Sequence, residues 1–333
     1  MKELLFNIQL FAELNTNTTT QTGSGKDLSA ENKTYYDKML IKLAAPNLIH
    51  NQFGQKRNIP KNNGKTIEFR KFTPLGKATT PLTEGVTPNG QSLDVTALTA
   101  TVHQYGGYVT ISDNLELTAL DPMVQETIGL ISDQAAQTID TVERDILVTG
   151  TNVQYADGSV EGRSALTSSH KMTVDVLKRA VRTLKKLNTP KIDGYYVAIM
   201  HPSVAYDLMA DPEWIDAQKH TPGNVEKLFK GEIGEIAGVK VVESTEAKIW
   251  ASAGSGGASV YATLVLGKDA YGVTDIEGGG LQTIIKAKGS AGTADPLDQR
   301  STVGWKANHT AEILVQEYMV RVETASSFND EAN

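Results

Sequence analysis

The chain contains no cysteine. Disulfide cross-links, thiolate metal sites and cysteine nucleophiles are therefore excluded. It also lacks any apolar run near the roughly 20 residues that a membrane-spanning helix requires. The opening MKELLFNIQLFAEL does not read as a secretion signal. Glu3 stands beside Lys2, Asn7 and Gln9 interrupt the apolar stretch, and no small-residue cleavage site follows. Positive charge is not in excess either. The formal net charge is −7, whereas a protein that wraps nucleic acid by charge is basic overall. A local basic patch is still allowed.

Recognisable catalytic patterns are missing as well. Gly64-Lys65-Thr66 resembles the end of a phosphate-binding loop, but Ile59 stands where its first glycine is required. The tripeptide also precedes a strand pattern, whereas phosphate needs the N–H groups of an opening helix. His50, His103, His170, His201, His220 and His309 are scattered, with no helical metal-ligand spacing and no HExxH. There is no GxSxG elbow. Gly254–Gly257 and Gly278–Gly280 lack the strand-to-helix context of a nucleotide fingerprint. No catalytic, cofactor-binding or metal residue is assigned, and a phosphate-using enzyme would need the site that is missing.

What the chain does have is length and ordinary composition. Its 333 residues are 40% hydrophobic and 21% charged, enough for about two domains with their own cores. Leu4, Ile8 and Phe11 fit one face of a short amphipathic arm helix. Residues 15–25, NTNTTTQTGSG, form a polar linker. Tyr35–Leu43 has helical spacing, and Pro46 ends it. Across 54–105, strand patterns at Thr66–Phe72 and Ser92–His103 alternate with turn signals at Asn63-Gly64, Gly85 and Pro88-Asn89-Gly90. The middle of this stretch is too poor in large apolar residues to build a core. It reads as a long two-stranded excursion, which is marginal without a partner surface.

Asp121-Pro122 opens a long helix ended by Gly150. Val124, Ile128, Ile131, Ala135, Thr138, Val142 and Ile146 mark its apolar face, and Glu126, Asp133 and Asp140 recur every seven residues on the other side. Val174–Leu187 is a second amphipathic helix, with Lys178, Arg179, Arg182, Lys185 and Lys186 on its polar face. The plain reading of that cluster is a solvated helix face, and the sharper one is a particle interior or DNA-facing surface. Tyr195–Met200 suits a buried strand, and Ser203 is the expected cap of the helix after it. Strands follow at Val239–Val242, Val260–Leu266 and Leu281–Lys286, with a surface loop at Trp250–Ser259 and two strands within Gly304–Glu323. Helix and sheet mix without regular alternation, so the fold class is α+β.

This order of elements resembles the major capsid proteins of tailed bacteriophages, the Hong Kong 97-type capsid fold. Particular stretches are similar to the family related to the coliphage N-four capsid protein: FNIQLFAE at Phe6–Glu13, PLTEGVTPNGQSL at Pro81–Leu93, QYGGYVTISD at Gln104–Asp113, MHPSVAYDLM at Met200–Met209, GEIGEIAGVKVVES at Gly231–Ser244, and the closing EYMVRVETAS. The resemblance runs nearly the whole length in order. It implies an N-terminal arm at 1–34, a helix and connection at 35–53, and an E-loop at 54–105. It further implies a P-domain at 106–170 with its spine helix at 121–149, an A-domain at 171–303, and strands at 304–333 that return to the P-domain. The implied role is an icosahedral shell around packaged double-stranded DNA, in the virion, assembled in the bacterial cytoplasm. Its partners would be further copies as pentamers and hexamers, with scaffolding, portal and decoration proteins, and no membrane. An encapsulin-type compartment shares the implied fold and is the alternative.

Two charge patterns suggest a contact between copies. Residues 54–105 carry seven Lys and Arg, among them Lys65, Arg70, Lys71 and Lys77, against three acids, a net of +4. Residues 121–150 carry six acids, among them Glu126, Asp133 and Asp140, against Arg144, a net of −5. The expectation is that the basic excursion meets the acidic back of a neighbour's spine helix.

Overall fold

The computed structural model describes residues 48–72, 75–118, 123–219, 234–290 and 295–333. The expected arm helix, the helix at Tyr35–Leu43 and the Asp121-Pro122 helix start lie outside the described residues. The chain divides into two compact units. One comprises 1–45, 106–135 and 281–306, and the other 46–105, 136–280 and 307–333.

The strands are β1 Gln55–Ile59, β2 Thr66–Phe72, β3 Val95–Thr101, β4 His103–Ser112, β5 Val153–Tyr155, β6 Tyr196–Met200, β7 Glu235–Ile236, β8 Val239–Glu243, β9 Ile249–Trp250, β10 Val260–Leu266, β11 Tyr271–Ile276, β12 Gln282–Lys286, β13 Arg300–Ile313 and β14 Met319–Thr324. The helices are α1 Asp113–Thr118, α2 Met123–Leu147, α3 Val174–Lys186, α4 Pro202–Met209 and α5 Pro212–Lys219. Three elements, β4, α2 and β13, contribute residues to both units.

The larger unit is organised by a seven-stranded sheet in the order β5-β14-β10-β6-β8-β7, with β9 on β10. Every residue of β6 and β10 is buried, so their unbroken apolar sequences fit strands covered on both faces. Helix α3 covers the sheet with Val174, Val176, Leu177, Ala180, Val181 and Leu184. Thr173 caps α3 by accepting from the Val176 N–H. The cap of α4 is His201 rather than the expected Ser203. Pro202 occupies the first helical position, so the capping position is the one before it, and the His201 Nδ1 accepts from the Ser203 N–H at 3.2 Å.

In the same unit β1 runs parallel to β11, which is antiparallel to the Thr310 end of β13. The two-stranded excursion is an antiparallel ribbon of β2 and β3, paired from Thr66↔Thr101 to Phe72↔Val95. It begins at Thr66, later than the expected 54, because residues 55–59 belong to the sheet. In β2, Ile67, Phe69 and Lys71 point to the more covered side, the period of two set by the pleat. Phe69 is buried, and a Cβ on Gly272 would stand 2.8 Å from its ring. The ribbon root is therefore seated where β11 has no side chain. Arg57 lies 5.7 Å over the same ring. Beyond the ladder, residues 75–94 are exposed throughout.

In the smaller unit β12 pairs with the Thr302 end of β13, and β4 pairs with β13 as well. A Cβ on Gly304 would stand 2.9 Å from the Gly107 carbonyl, and one on Gly107 would stand 2.6 Å from Gln134 Oε1. The Gly106-Gly107 pair lets backbone and helix approach this closely. Trp305 Nε1 donates to Gln134 Oε1 at 3.0 Å there.

Candidate inter-subunit surfaces

Lys65, Arg70 and Lys77 are exposed on the ribbon. Arg70 pairs with Glu68 beside it at 2.8 Å, and Lys71 reaches Glu317 at 3.3 Å. Both pairs are surface pairs of small energetic weight, about 0–1 kcal/mol each. On α2, Glu126 and Asp133 are exposed. Asp140 is not: it is completely buried, and the expected continuous acidic back is corrected here. A seven-residue repeat keeps one azimuth on a helix, but it does not fix depth. The last three turns of α2 are covered on several sides, so Ile139, Asp140, Glu143, Arg144 and Leu147 are all buried.

Asp140 serves the interior of the larger unit. Its Oδ1 accepts from the His50 N–H at 2.8 Å and its Oδ2 lies 2.7 Å from His50 Nδ1. One turn later, Glu143 Oε1 lies 2.6 Å from His309 Nε2 and accepts from Asn51 Nδ2 at 2.6 Å. The Tyr271 hydroxyl donates to the His50 carbonyl. Burial pushes the Tyr271 hydroxyl well above its usual range, and the charges of Glu143 and Asp140 add to the effect. Burial also raises the neighbouring Asp275 carboxyl, against the pull of His309. These side chains fasten the single turn His50–Gln52 to α2, β11 and β13. Sequence reasoning missed them because His50 and Asp140 stand 90 positions apart, and no local spacing links them.

A second cluster ties the closing residues 326–333 to the large sheet. Asp330 accepts from the Ser203 hydroxyl at 2.5 Å and from the Tyr261 hydroxyl at 2.8 Å. The Ser203 bond is the largest of the influences holding the Asp330 carboxyl below the usual carboxylate range. Tyr261 is pushed up to about 12, mainly by burial. Arg163 stacks 3.4 Å over Trp250 and forms a two-pronged pair with the buried Glu323. These groups are fully engaged with one another and serve stability.

The surface carries a different signal. Among the described residues, 18 large apolar side chains are exposed. Six lie on the ribbon between Phe72 and Val95, and eight on the smaller unit, including Tyr108, Leu117, Leu130 and Leu297. Concentration of this kind marks surfaces that other proteins cover. The smaller unit also has a depression of about 550 Å³ lined by Gly107, Tyr108, Ile284, Lys286, Arg300 and Trp305.

The folded chain matches solved capsid subunits. The capsid protein of Ralstonia phage GP4 aligns with a TM-score of 0.68 at 14% identity, over 85% of this chain and 89% of that one. The capsid protein of cyanophage Pam1 aligns at 0.65 and 17%, over 86% and 92%. That of cyanophage P-SCSP1u aligns at 0.62 and 16%, over 84% and 89%. The architecture is thus that of a phage capsid subunit, and the α+β capsid fold expected from the sequence is the one found. No curated protein sequence matches the chain. The sequence model of the phage capsid protein family matches residues 95–321, more than half of the chain, and the chain belongs to that family. It is a major capsid protein, a structural subunit that self-assembles with copies of itself into the virion shell.

Proposed function

We propose that this subunit closes, as pentamers and hexamers, into an icosahedral shell around double-stranded DNA, with no catalytic role of its own. Assembly takes place in the bacterial host cytoplasm, with scaffolding, portal and decoration proteins as partners. Kinship with the coliphage N-four branch is part of this reading, as is the naming of the ribbon as an E-loop and of α2 as the spine helix of a P-domain. The observation that carries it is the concentration of exposed apolar side chains on the ribbon and the smaller unit. A ribbon tip with no buried residue needs a surface to lie on, and symmetry offers the same surface on every copy.

In this arrangement Lys65, Arg70, Lys71 and Lys77 of one copy approach Glu126 and Asp133 of another. Asp140 has no part in the contact, since it is buried against His50. The purified full chain, supplied with its scaffold where one is needed, is expected to form capsomers or closed particles under electron microscopy. A strict monomer under all such conditions overturns the reading. Asp133→Lys is expected to weaken assembly at low salt, and Arg70→Glu with Lys71→Glu to restore part of it. Both effects shrink at 1 M salt, where the Debye length is about 3 Å.

A further inference from the structure

The polar face of α3 is strongly cationic, in a protein whose net charge is −7. Its residues are Lys178, Arg179, Arg182, Lys185 and Lys186, opposed on the helix by Asp175 alone. Two of the five are engaged: Lys178 pairs with Glu213, and Arg179 pairs with Asp175 and donates to the Ala156 carbonyl. Among the described residues, none pairs with Arg182, Lys185 or Lys186, and all three are exposed. The negative end of the helix dipole accounts for cations in the last turn. It does not account for Arg182 or Lys178, which lie further back.

A second observation is one of shape. Lys178, Arg182, Lys185 and Lys186 surround a shallow depression of about 580 Å³ whose other lining residues are Val181 and Ala237. Val181 is buried beneath the cations. Ala237 sits in the tight turn between β7 and β8, where Ala237 and Gly238 both have positive φ and offer no bulk. Lys178, Arg182 and Lys185 follow one another at steps of four and three. They form a row along one side of the helix with rises of about 6 and 4.5 Å.

We infer that this face of α3 binds the phosphate backbone of double-stranded DNA. The inference rests on the reading of the protein as a shell around DNA and assigns the surface that meets the polymer. A row of unpaired cations around a hollow suits a linear polyanion, which binds by charge without base contacts. A protein partner would need a large apolar or aromatic anchor, and the described lining of the depression has no aromatic side chain and no exposed large aliphatic one.

The test uses the full-length chain, as particles and as unassembled subunits, and a 30-base-pair duplex of arbitrary sequence. Arg182→Gln, Lys185→Gln and Lys186→Gln together are expected to leave particle formation unchanged. They should flatten the dependence of log K on log salt by about 2.7, at about 0.9 per lost phosphate contact. In the unmodified chain, the duplex is expected to protect Lys185 and Lys186 from acetylation, a readout that needs no variant. Particles with unchanged duplex affinity and no protection overturn this inference alone. Absence of particles from the unmodified chain overturns the capsid reading instead. Binding of a poly-glutamate peptide, but not of the duplex, to Arg182, Lys185 and Lys186 also overturns the inference and makes the face a dock for an acidic protein.

Discussion

Two strand pairs of the larger unit use the same extended backbone for opposite ends. In β6 and β10 every position is buried, and the sequences YVAIM and VYATLVL are almost unbroken apolar runs. In β2 and β3 burial alternates or fades, and the sequences TIEFRKF and VTALTAT interleave small, polar and charged residues. The first pair fills the space between layers and sets the stability of the unit. The second pair buries only Phe69 and Ala100 and presents mostly surface. The contrast separates what this protein needs in order to fold from what, on the proposed reading, it needs in order to assemble.

The sharpest way to break that distinction is a charge in each pair. Val265 is fully buried and paired with Val320 and Ala198. Val265→Asp is expected to cost more than about 4 kcal/mol, out of a total that is typically about 5–15, and circular dichroism should show loss of the fold. Leu82→Asp, at a position 77% exposed, is expected to change stability by less than about 0.5 kcal/mol. A comparable loss from both would erase the contrast.

Removal of the ribbon tip comes next. Joining Phe72 to Val95 through an Asn-Gly turn keeps the Thr66–Phe72 ladder and the Phe69 anchor and is compatible with a two-residue hairpin. Melting is expected to stay within a few degrees of the parent, and particles are expected to be lost. Normal particles from the shortened chain would remove the tip from the assembly contacts.

His50→Ala probes the interior on a smaller scale. It leaves Asp140 without its ring partner, and an orphaned buried acceptor costs about 1–3 kcal/mol. Denaturant unfolding should show a lowered midpoint with an unchanged slope. The smallest effect concerns pH. The Asp330 carboxyl is held below its ordinary range by the Ser203 hydroxyl, so its contribution is present above the ordinary carboxylate range and is lost as pH falls through the depressed value. Asp330→Asn is expected to flatten the acid limb of the stability curve slightly. An unchanged acid limb would show that this carboxylate contributes nothing to the pH dependence.

The parts legible in the sequence are those whose information is local. β6, β10 and α3 announce themselves by period and apolar content, and their observed limits fall within a residue or so of the expected ones. The ribbon was legible by its poverty of core residues. Its root was not, because β1 finds its partner β11 more than 200 residues away, and nothing in QKRNI says so. Asp140 shows the same limit from the other direction. Its spacing from Asp133 is helical, yet burial depends on what other segments bring to that turn. The His201 cap was within reach, since a proline at the first helical position points to the residue before it.

The slot at Gly272 gives the ribbon a mechanical character. The seven residues Thr66–Phe72 extend about 23 Å at the rise of a strand, and Phe69, midway along them, is held against bare backbone. The ribbon is thus a lever whose short arm ends in one aromatic ring. A tilt of about 5° at that ring moves Phe72, three residues or about 10 Å further on, by about 0.9 Å. Gly272→Ala, by displacing the ring, would redirect the ribbon before it weakened any contact along it. In a closed surface, direction sets curvature, so one missing methyl group in β11 bears on the size of the object that many copies build.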